Sequence, residues 1–511
     1  MLMRVRDIRD MLEGCQIIGP DEIEISHISC DSRSELHGGS LFAAIEGESL
    51  DGYSFIGEAL DKGARCVLSE RPWPADDRGE TITEIIVPDV REALGLVSAG
   101  LYGMPSAGLT LVGVTGTNGK TTVTYLLESI FRASGFETGV IGTVNYRYRD
   151  SEIPAPNTTP GAPSLQRLLR DMREAGVTHC AMEVSSHGLE QKRVSGCAFD
   201  AAVFTNLTHD HMDYHATVED YFRAKTQLFT HLKAGGSSVV NMDDPWGARL
   251  AASLPGLITT GMAEEADIHP RGLSVTPEGI DALVQTPTGS VSVSTAMTGR
   301  FNVYNILSAI GVSHALGIEI GAIEEGISVL QGVPGRLQRV FSSAPQQEGG
   351  KVPYRAYVDY AHTPDALARL LTTAREMSGD RIILVFGCGG NRDRSKRAEM
   401  GEAAARLADI IIVTSDNPRD EDPALIIKDI ERGLEGVRKI EKGGVVPASA
   451  EKAYMVCVDR REAIEEAVAM AGTGDTLLVA GKGHEDYQIT GSVRSHFDDV
   501  LELGRAMEQG P

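Results

Sequence analysis

Apolar residues along this chain come in two rhythms. Short apolar runs predict buried strands: Leu109 to Val114, His179 to Val184, Ala201 to Thr205, Arg355 to Asp359, Arg381 to Phe386, Asp409 to Val413 and Thr476 to Val479. Between them, apolar positions recur with helical spacing, as at Leu165, Leu168, Leu169 and Met172. The same reading predicts helices over Val123 to Arg132, Pro364 to Met377 and Ala424 to Leu434. A further amphipathic helix is predicted over Tyr221 to Phe229, where Lys225 alone reads as an ordinary surface lysine. Strands alternating with helices imply parallel sheets covered by helices.

The pattern divides the chain into three. Residues 1–105 carry short β-like runs (Glu22 to Ile28, Leu41 to Ile45, Cys66 to Ser69, Glu84 to Val87) and end at the breaker-rich stretch Leu101 to Gly108. Residues 106–335 alternate and close on Val333-Pro-Gly335, with a β-rich excursion at Ala266 to Ser294. Residues 336–511 alternate again. The expectation is an α/β protein of three domains: an N-terminal α/β domain, a central P-loop ATPase-like parallel sheet, and a C-terminal Rossmann-like domain.

Composition narrows the class. The chain has 511 residues, 42% of them hydrophobic, which is enough for packed cores. No apolar run reaches the ~18–20 residues of a membrane span, and the charged N-terminus lacks the apolar core of a secretory signal. The seven cysteines are scattered without a C-x-x-C pair, so buried thiols in a reduced, cytoplasmic protein are expected, and zinc is not. A formal net charge of −24 argues against nucleic acid or anionic membrane as partners.

Residues 113–122 read Gly-Val-Thr-Gly-Thr-Asn-Gly-Lys-Thr-Thr, between a predicted strand and a predicted helix. That is the context of a phosphate-binding loop, with Lys120 for the terminal phosphates and Thr121 for Mg2+. Val114 stands where the usual pattern has its first glycine. Glu183 ends an apolar strand and is placed to hold Mg2+. Thr205 to His215 follows another strand with three histidines and two aspartates, including His211. By itself this cluster fits a metal, a catalytic base or a polar loop; without thiols, Mg2+ or Mn2+ suits it better than structural zinc. Asn302 reads as a helix cap, with Asn305 a turn later able to meet a base. Arg336 could meet phosphate, and Asp359 ends the first strand of the third segment. Three loops then follow predicted strands: Gly387 to Arg394, Asp416 to Arg419, and Gly481 to Glu485. Together at one sheet edge they would form a pocket for a ligand bearing carboxylates and an ammonium.

Taken together, these residues resemble the Mur ligases, ATP-dependent enzymes that build the peptide of the cell-wall precursor. The likeness spans nearly the whole chain and rests on Thr115 to Thr122, Asn157-Thr-Thr-Pro160, Glu183 to Gly188, the His211 loop, the asparagine helix, the Asp359 strand, Asp416 to Arg419, and Gly481 to Glu485. The resemblance implies that Gly116, Thr117, Asn118, Gly119, Lys120, Thr121 and Thr122 bind ATP as co-substrate, with Asn305, Arg336 and Asp359. It implies catalytic roles for Lys120, Glu183, His211 and Lys225, and two Mg2+ sites served by Thr121, Glu183, His211 and Lys225. Lys225 matches the lysine that the family carbamylates to N6-carboxylysine. Ser32, Asn157, Thr158, Thr159, Ser185, Gln191 and Arg193 would hold a UDP-muramoyl dipeptide, making residues 1–105 a UDP-substrate-binding domain. Arg392, Asp416, Asn417, Pro418, Arg419, Gly481 and Glu485 would bind the incoming amino acid. Asp-Asn-Pro-Arg is typical of members that add meso-diaminopimelate, whereas lysine-adding members usually lack the arginine. Asn391 departs from the aspartate many relatives carry.

The expected function is therefore ATP-driven amide formation on small-molecule substrates by a cytoplasmic monomer in peptidoglycan precursor synthesis. A lysine-adding member or a folylpolyglutamate synthase-like ligase is the nearest alternative, and a regulatory P-loop ATPase the alternative of another class.

Overall fold

The computed structural model describes residues 2–47, 50–74, 81–208, 210, 214–254, 257–341, 354–377, 380–444 and 451–509. Three sheets organise the chain. The first has five strands in the order Gln16–Ile18, Thr83–Ile86, Cys66–Ser69, Ser40–Ala43 and His27–Ser29. Its helix Val90–Leu101 lies against the helix Ala162–Glu174 of the next unit, and the Arg170 guanidinium sits 5.0 Å above the Tyr102 ring.

The central sheet has eight strands: Ser151–Pro154, Asn145–Tyr148, Thr138–Ile141, His179–Glu183, Thr110–Thr115, Phe199–Phe204, Leu232–Asn241 and Ile258–Thr260. The last six run parallel, as the alternation predicted, and the first two form an antiparallel hairpin that periodicity did not reveal. Thr110–Thr115 lies between His179–Glu183 and Phe199–Phe204, so everything leaving its carboxyl end emerges where the neighbouring strands also end. Helix Lys120–Ala133 buries Val123, Leu126, Leu127, Ile130 and Phe131 against this sheet and helix Arg300–Ala315. The β-rich excursion is a three-stranded antiparallel sheet, His269–Thr276, Gly279–Thr286 and Gly289–Thr295.

The third sheet has seven strands: Gln338–Val340, Arg355–Asp359, Thr476–Ala480, Ile382–Phe386, Ile410–Val413, Ala453–Val456 and Arg438–Lys439. All but the first are parallel. The strands Arg355–Asp359, Thr476–Ala480, Ile382–Phe386 and Ile410–Val413 therefore send their following loops to one edge.

Two local expectations need correcting. Helix Arg300–Ala315 is capped by Gly299 at φ +88, not by Asn302, which lies in the first turn and donates 2.7 Å to the Thr298 carbonyl. The Lys225 segment is an α-helix over Val218–Thr226, started by the Thr217 side chain, that tightens into a 3-10 turn over Gln227–His231. Lys225 is buried, not at the surface, with only 1% of its area exposed. All seven cysteines are free; five are buried and Cys30 is exposed. Among the described residues, no helix is long and apolar enough to cross a membrane.

Candidate active site

The loop 116–119 turns between strand and helix on two glycines held at positive φ, Gly116 at +142 and Gly119 at +88. A Cβ at Gly116 would collide with the Thr205 hydroxyl and one at Gly119 with Asn305, so Asn305 packs directly on the loop. The residues just beyond strand Phe199–Phe204 supply the support. Thr117 N donates 2.9 Å to the Asn206 carbonyl, Asn118 N donates 3.0 Å to Asn206 Oδ1, and Thr205 Oγ1 donates 2.6 Å to the Asn118 carbonyl. The Thr117 hydroxyl also meets Tyr221 OH at 3.1 Å. Thr122, the third residue of the helix, is buried.

Two ammonium groups converge on one carbonyl here. Lys120 Nζ donates to Gly116 O at 3.0 Å and to Thr117 O at 2.9 Å. Lys225 Nζ donates to the same Gly116 O at 2.8 Å and lies 4.3 Å from the Tyr221 ring centroid. Burial pushes Lys120 below the usual lysine range, opposed by the fields of Glu183 and Asp210. Burial and the nearby Lys120 push Lys225 well below that range, opposed by Asp210. Lys225 is thus biased toward the neutral amine, and the loop region as a whole favours an anion.

Glu183 ends the strand beside the loop, paired across from Val114, and is 1% exposed. Thr143 N and Oγ1 donate to its two oxygens at 2.8 and 3.0 Å. The Thr143 hydroxyl in turn meets Thr158 Oγ1 at 3.1 Å. Thr159 Oγ1 donates 3.0 Å to the Glu183 carbonyl and accepts from Ser185 N at 3.0 Å. Arg193 reaches Thr159 O at 2.8 Å and Gln191 Oε1 at 2.7 Å. Asn157 is exposed, its carbonyl accepting from Tyr146 OH. Asn157 to Thr159, Ser185, Gln191 and Arg193 therefore form one patch beside Glu183. Ser32 lies in the N-terminal unit, its carbonyl accepting from Lys62 Nζ at 2.7 Å. His211 lies outside the described residues.

The third unit reaches the same place. Arg336 donates 3.2 Å to Thr121 Oγ1 and covers the Tyr360 ring at 4.6 Å. Asp359 accepts from Leu337 N at 2.6 Å and Ala361 N at 2.8 Å; burial raises its carboxyl, opposed by Arg336. Asp365 accepts 3.0 Å from Thr208 Oγ1. His484 is held neutral: burial and Arg336 push it down to about 3, against a hydrogen bond with the Thr143 backbone.

Three further loops gather at the sheet edge. Asn417 Nδ2 donates 2.9 Å to Glu485 Oε2, and Arg419 NH1 donates 2.8 Å to the Gly390 carbonyl. Arg419 holds φ +52, pinned by N–H to Ile489 O at 3.0 Å and by Gly491 N to its own carbonyl at 2.7 Å. Gly481 holds φ +116, with Asp416 next to it, and Pro418 is buried between. Arg392 is exposed on the adjoining loop. Lys482, which sequence reasoning left without a role, is 0% exposed. Its Nζ lies 3.2 Å from Asp416 Oδ1, 3.2 Å from Asn417 Oδ1, 2.6 Å from Tyr487 O and 3.8 Å from Glu485 Oε2. Burial, then Asp416, raise the Glu485 carboxyl, opposed by Lys482 and Arg419. The position of Lys482 between Gly481 and Gly483 was the available signal, because a lysine between two turn glycines follows the strand end directly.

A phosphate loop on the middle strand of a parallel sheet, with a buried acid closing the next strand, defines a nucleotide-triphosphate-using enzyme. Sequence comparison gives the family. The model described as Mur ligase middle domain matches residues 114–313, that described as Mur ligase, glutamate ligase domain matches 335–483, and that described as Mur ligase family, catalytic domain matches 24–102. The chain belongs to the Mur ligase family, ATP-dependent enzymes that form amide bonds. It is 43% identical to the UDP-N-acetylmuramoyl-L-alanyl-D-glutamate–2,6-diaminopimelate ligase of Geobacter metallireducens, over 99% of both chains. It is 44% identical to the ligase of that name from Gloeobacter violaceus, over 96% of this chain and 95% of that one. A solved structure of a ligase of that name superposes with a TM-score of 0.69 at 33% identity, over 100% of this chain and 99% of the other.

Proposed function

We propose that this enzyme joins meso-diaminopimelate to the γ-carboxylate of UDP-N-acetylmuramoyl-L-alanyl-D-glutamate, using ATP. The observation that carries the reading is the pairing of two sites at adjoining sheet edges. One is a cationic phosphate loop; the other is a pocket whose Arg419, Asp416 and Glu485 suit an amino acid with an extra carboxylate and an ammonium. Relatives identical at 43% and 44% over nearly the full length bear names that specify this reaction.

In this reading residues 1–105 hold the uridine end through Ser32, residues 106–335 hold ATP, and residues 336–511 hold the amino acid. Gly116 to Thr122, Asn305, Arg336 and Asp359 bind ATP. Asn157, Thr158, Thr159, Ser185, Gln191 and Arg193 bind the dipeptide, next to Glu183. The carboxylate attacks the terminal phosphorus, giving an acyl phosphate and ADP. The amine of diaminopimelate attacks the acyl carbon and expels phosphate. Carboxylate and triphosphate repel, so Lys120 and the loop N–H groups must offset charge, and the transfer is mainly positioning and electrostatics.

The donor set fits a hard divalent cation: the Thr121 hydroxyl and the buried Glu183 carboxylate offer oxygen. Two Mg2+ sites would use these with His211 and carbamylated Lys225, and Mg2+ when bound would further neutralise the phosphates. Carbamylation needs a neutral amine, which adds to CO2 and releases a proton, leaving a carboxylate on nitrogen. Burial and the depressed pKa of Lys225 support that step. A cytoplasmic monomer completes the reading; free cysteines suit a reducing compartment.

The test is product analysis with purified protein, the UDP-muramoyl dipeptide, diaminopimelate, ATP and Mg2+. One new amide per ADP and phosphate is expected. ATP hydrolysis that ignores the dipeptide and the amino acid would contradict the reading.

A further inference from the structure

Arg397 sits in the first turn of helix Ser395–Leu407 with 0% of its area exposed, and the proposed reaction gives it nothing to do. Its two terminal NH2 groups join the 387–394 loop, Glu421 and the helix Pro423–Glu431. NH2 donates 2.8 Å to Glu421 Oε1, NH1 donates 3.0 Å to Glu421 Oε2 and 3.1 Å to Asp429 Oδ2, and NH2 reaches the Gly389 carbonyl at 3.4 Å. Glu421 Oε1 also accepts from Asn391 N at 2.6 Å. Gly389 and Asn391 flank Gly390, whose carbonyl receives the Arg419 guanidinium. Gly390 N donates 2.9 Å to Asn417 O, and a Cβ at Gly390 would strike the Pro418 carbonyl. The 387–394 and 416–421 loops are thus pressed together at Gly390, with Arg397 behind both.

Asn391 and Arg419 both hold left-handed backbone, at φ +53 and +52. Non-glycine residues keep that conformation only where surrounding contacts impose it. We infer that Arg397 is a positioning residue for amino-acid selection, clamping the Arg392 loop to the Arg419 loop through Glu421. This rests on the amino-acid pocket proposed above. Asp429 is also bound by Arg394 at 3.0 Å and by Arg432 at 3.3 Å, so the part of the network specific to the pocket is Arg397 with Glu421. Lysine cannot replace the fork, because it offers one point charge where two parallel donors are used.

The test compares Arg397→Lys, Glu421→Ala and Arg432→Ala with the wild type, in amino-acid-dependent phosphate release. Glu421 is half-buried, so its variant keeps the question open to measurement where a buried-arginine variant folds poorly. The first two are expected to raise the KM for diaminopimelate about tenfold and to narrow its advantage over L-lysine, as coupled contacts do. The KM values for ATP and for the nucleotide dipeptide should stay within about twofold, the range of uncoupled sites. Each should also be non-additive with Arg419→Ala. Arg432→Ala should match the wild type. Variants that lose thermal stability and kcat while keeping the wild-type preference overturn the inference alone. A wild type that releases phosphate without regard to amino acid overturns the proposed function, and the inference with it.

Discussion

Two lysines are buried to nearly the same degree, one beside the phosphate loop and one behind the proposed amino-acid pocket, and their surroundings are opposite. Lys225, 1% exposed, donates to a backbone carbonyl already shared with Lys120. Lys482, 0% exposed, has the Asp416 carboxylate at 3.2 Å and Glu485 at 3.8 Å. The first site drives its lysine toward neutrality, and the second keeps a permanent counter-ion. A neutral amine can be turned into an anion. A paired ammonium can only hold carboxylates in place, ready for a substrate cation.

The largest expected effect breaks the comparison at Lys225. Both Lys225→Met and Lys225→Arg should lower kcat by about 100-fold or more, the cost of losing a transition-state charge partner. Lys225→Met should cost no stability, because no carboxylate is left unpaired, whereas the fixed charge of Lys225→Arg should cost some in so buried a place. Arginine cannot form the carbamate, so an active Lys225→Arg enzyme would show that a cation suffices. Depleting bicarbonate should slow the wild type alone. Below its ordinary value an unfolded lysine binds a proton that folded, uncarbamylated Lys225 refuses, so without CO2 Lys225 costs stability increasingly as pH falls through that window. Lys225→Met should remove that slope in denaturant unfolding.

Lys482→Met should do the reverse. Breaking a buried pair costs about 3–5 kcal/mol, so denaturant unfolding of the third unit should shift strongly to lower concentration. A stable variant would mean that Asp416 and Glu485 need no cation.

Arg419→Ala comes next. A charge-assisted contact is worth about 1.5–3 kcal/mol, or roughly 10–150-fold. The KM for the amino acid should rise within that range while the KM for ATP stays unchanged; equal changes in both would move Arg419 out of the pocket.

A pH profile sharpens the same region. Glu485 titrates above the ordinary glutamate value, because of burial and Asp416. It must be ionised to hold an ammonium, so kcat/KM for the amino acid should fall as pH drops through that raised value. The other charged groups facing it are Lys482, Arg419 and Arg460, with the neutral phenols of Tyr360 and Tyr487. A profile flat down to the ordinary carboxyl range would contradict the role. The smallest effect belongs to Asn391→Asp. Its side chain bonds exposed Asp420 at 3.0 Å, and exposed polar contacts contribute little, so the amino-acid KM should move less than about threefold.

How much was legible in the chain differs between the same two regions. The phosphate loop is contiguous, and strand, turn and helix stand in order from Thr110 to Ala133, so periodicity and glycine spacing located it. The loops proposed to hold the amino acid were visible as strand-end turns, since parallel strands send them to one edge. Their internal wiring was not. Arg397, Arg460 and Lys482 are buried cations, and charged residues are ordinarily exposed, so nothing in local pattern marks them. Arg460 pairs with Asp499 at 2.7 Å across 39 positions of chain. Lys225 read as a surface residue because its helix is amphipathic, yet Tyr221, Phe222 and Ala224 are buried alongside it. Asn302 lost the cap to Gly299 because the entry into that helix requires positive φ, which glycine adopts without strain.

The most direct measurement is kcat/KM for meso-diaminopimelate against L-lysine, by phosphate release from the purified wild type with ATP and the UDP-muramoyl dipeptide. Lysine lacks the second carboxylate and would leave Arg419 without its partner. A preference for diaminopimelate of at least about tenfold is expected. Equal turnover of the two amino acids would contradict the pocket built on Asp416, Arg419 and Glu485.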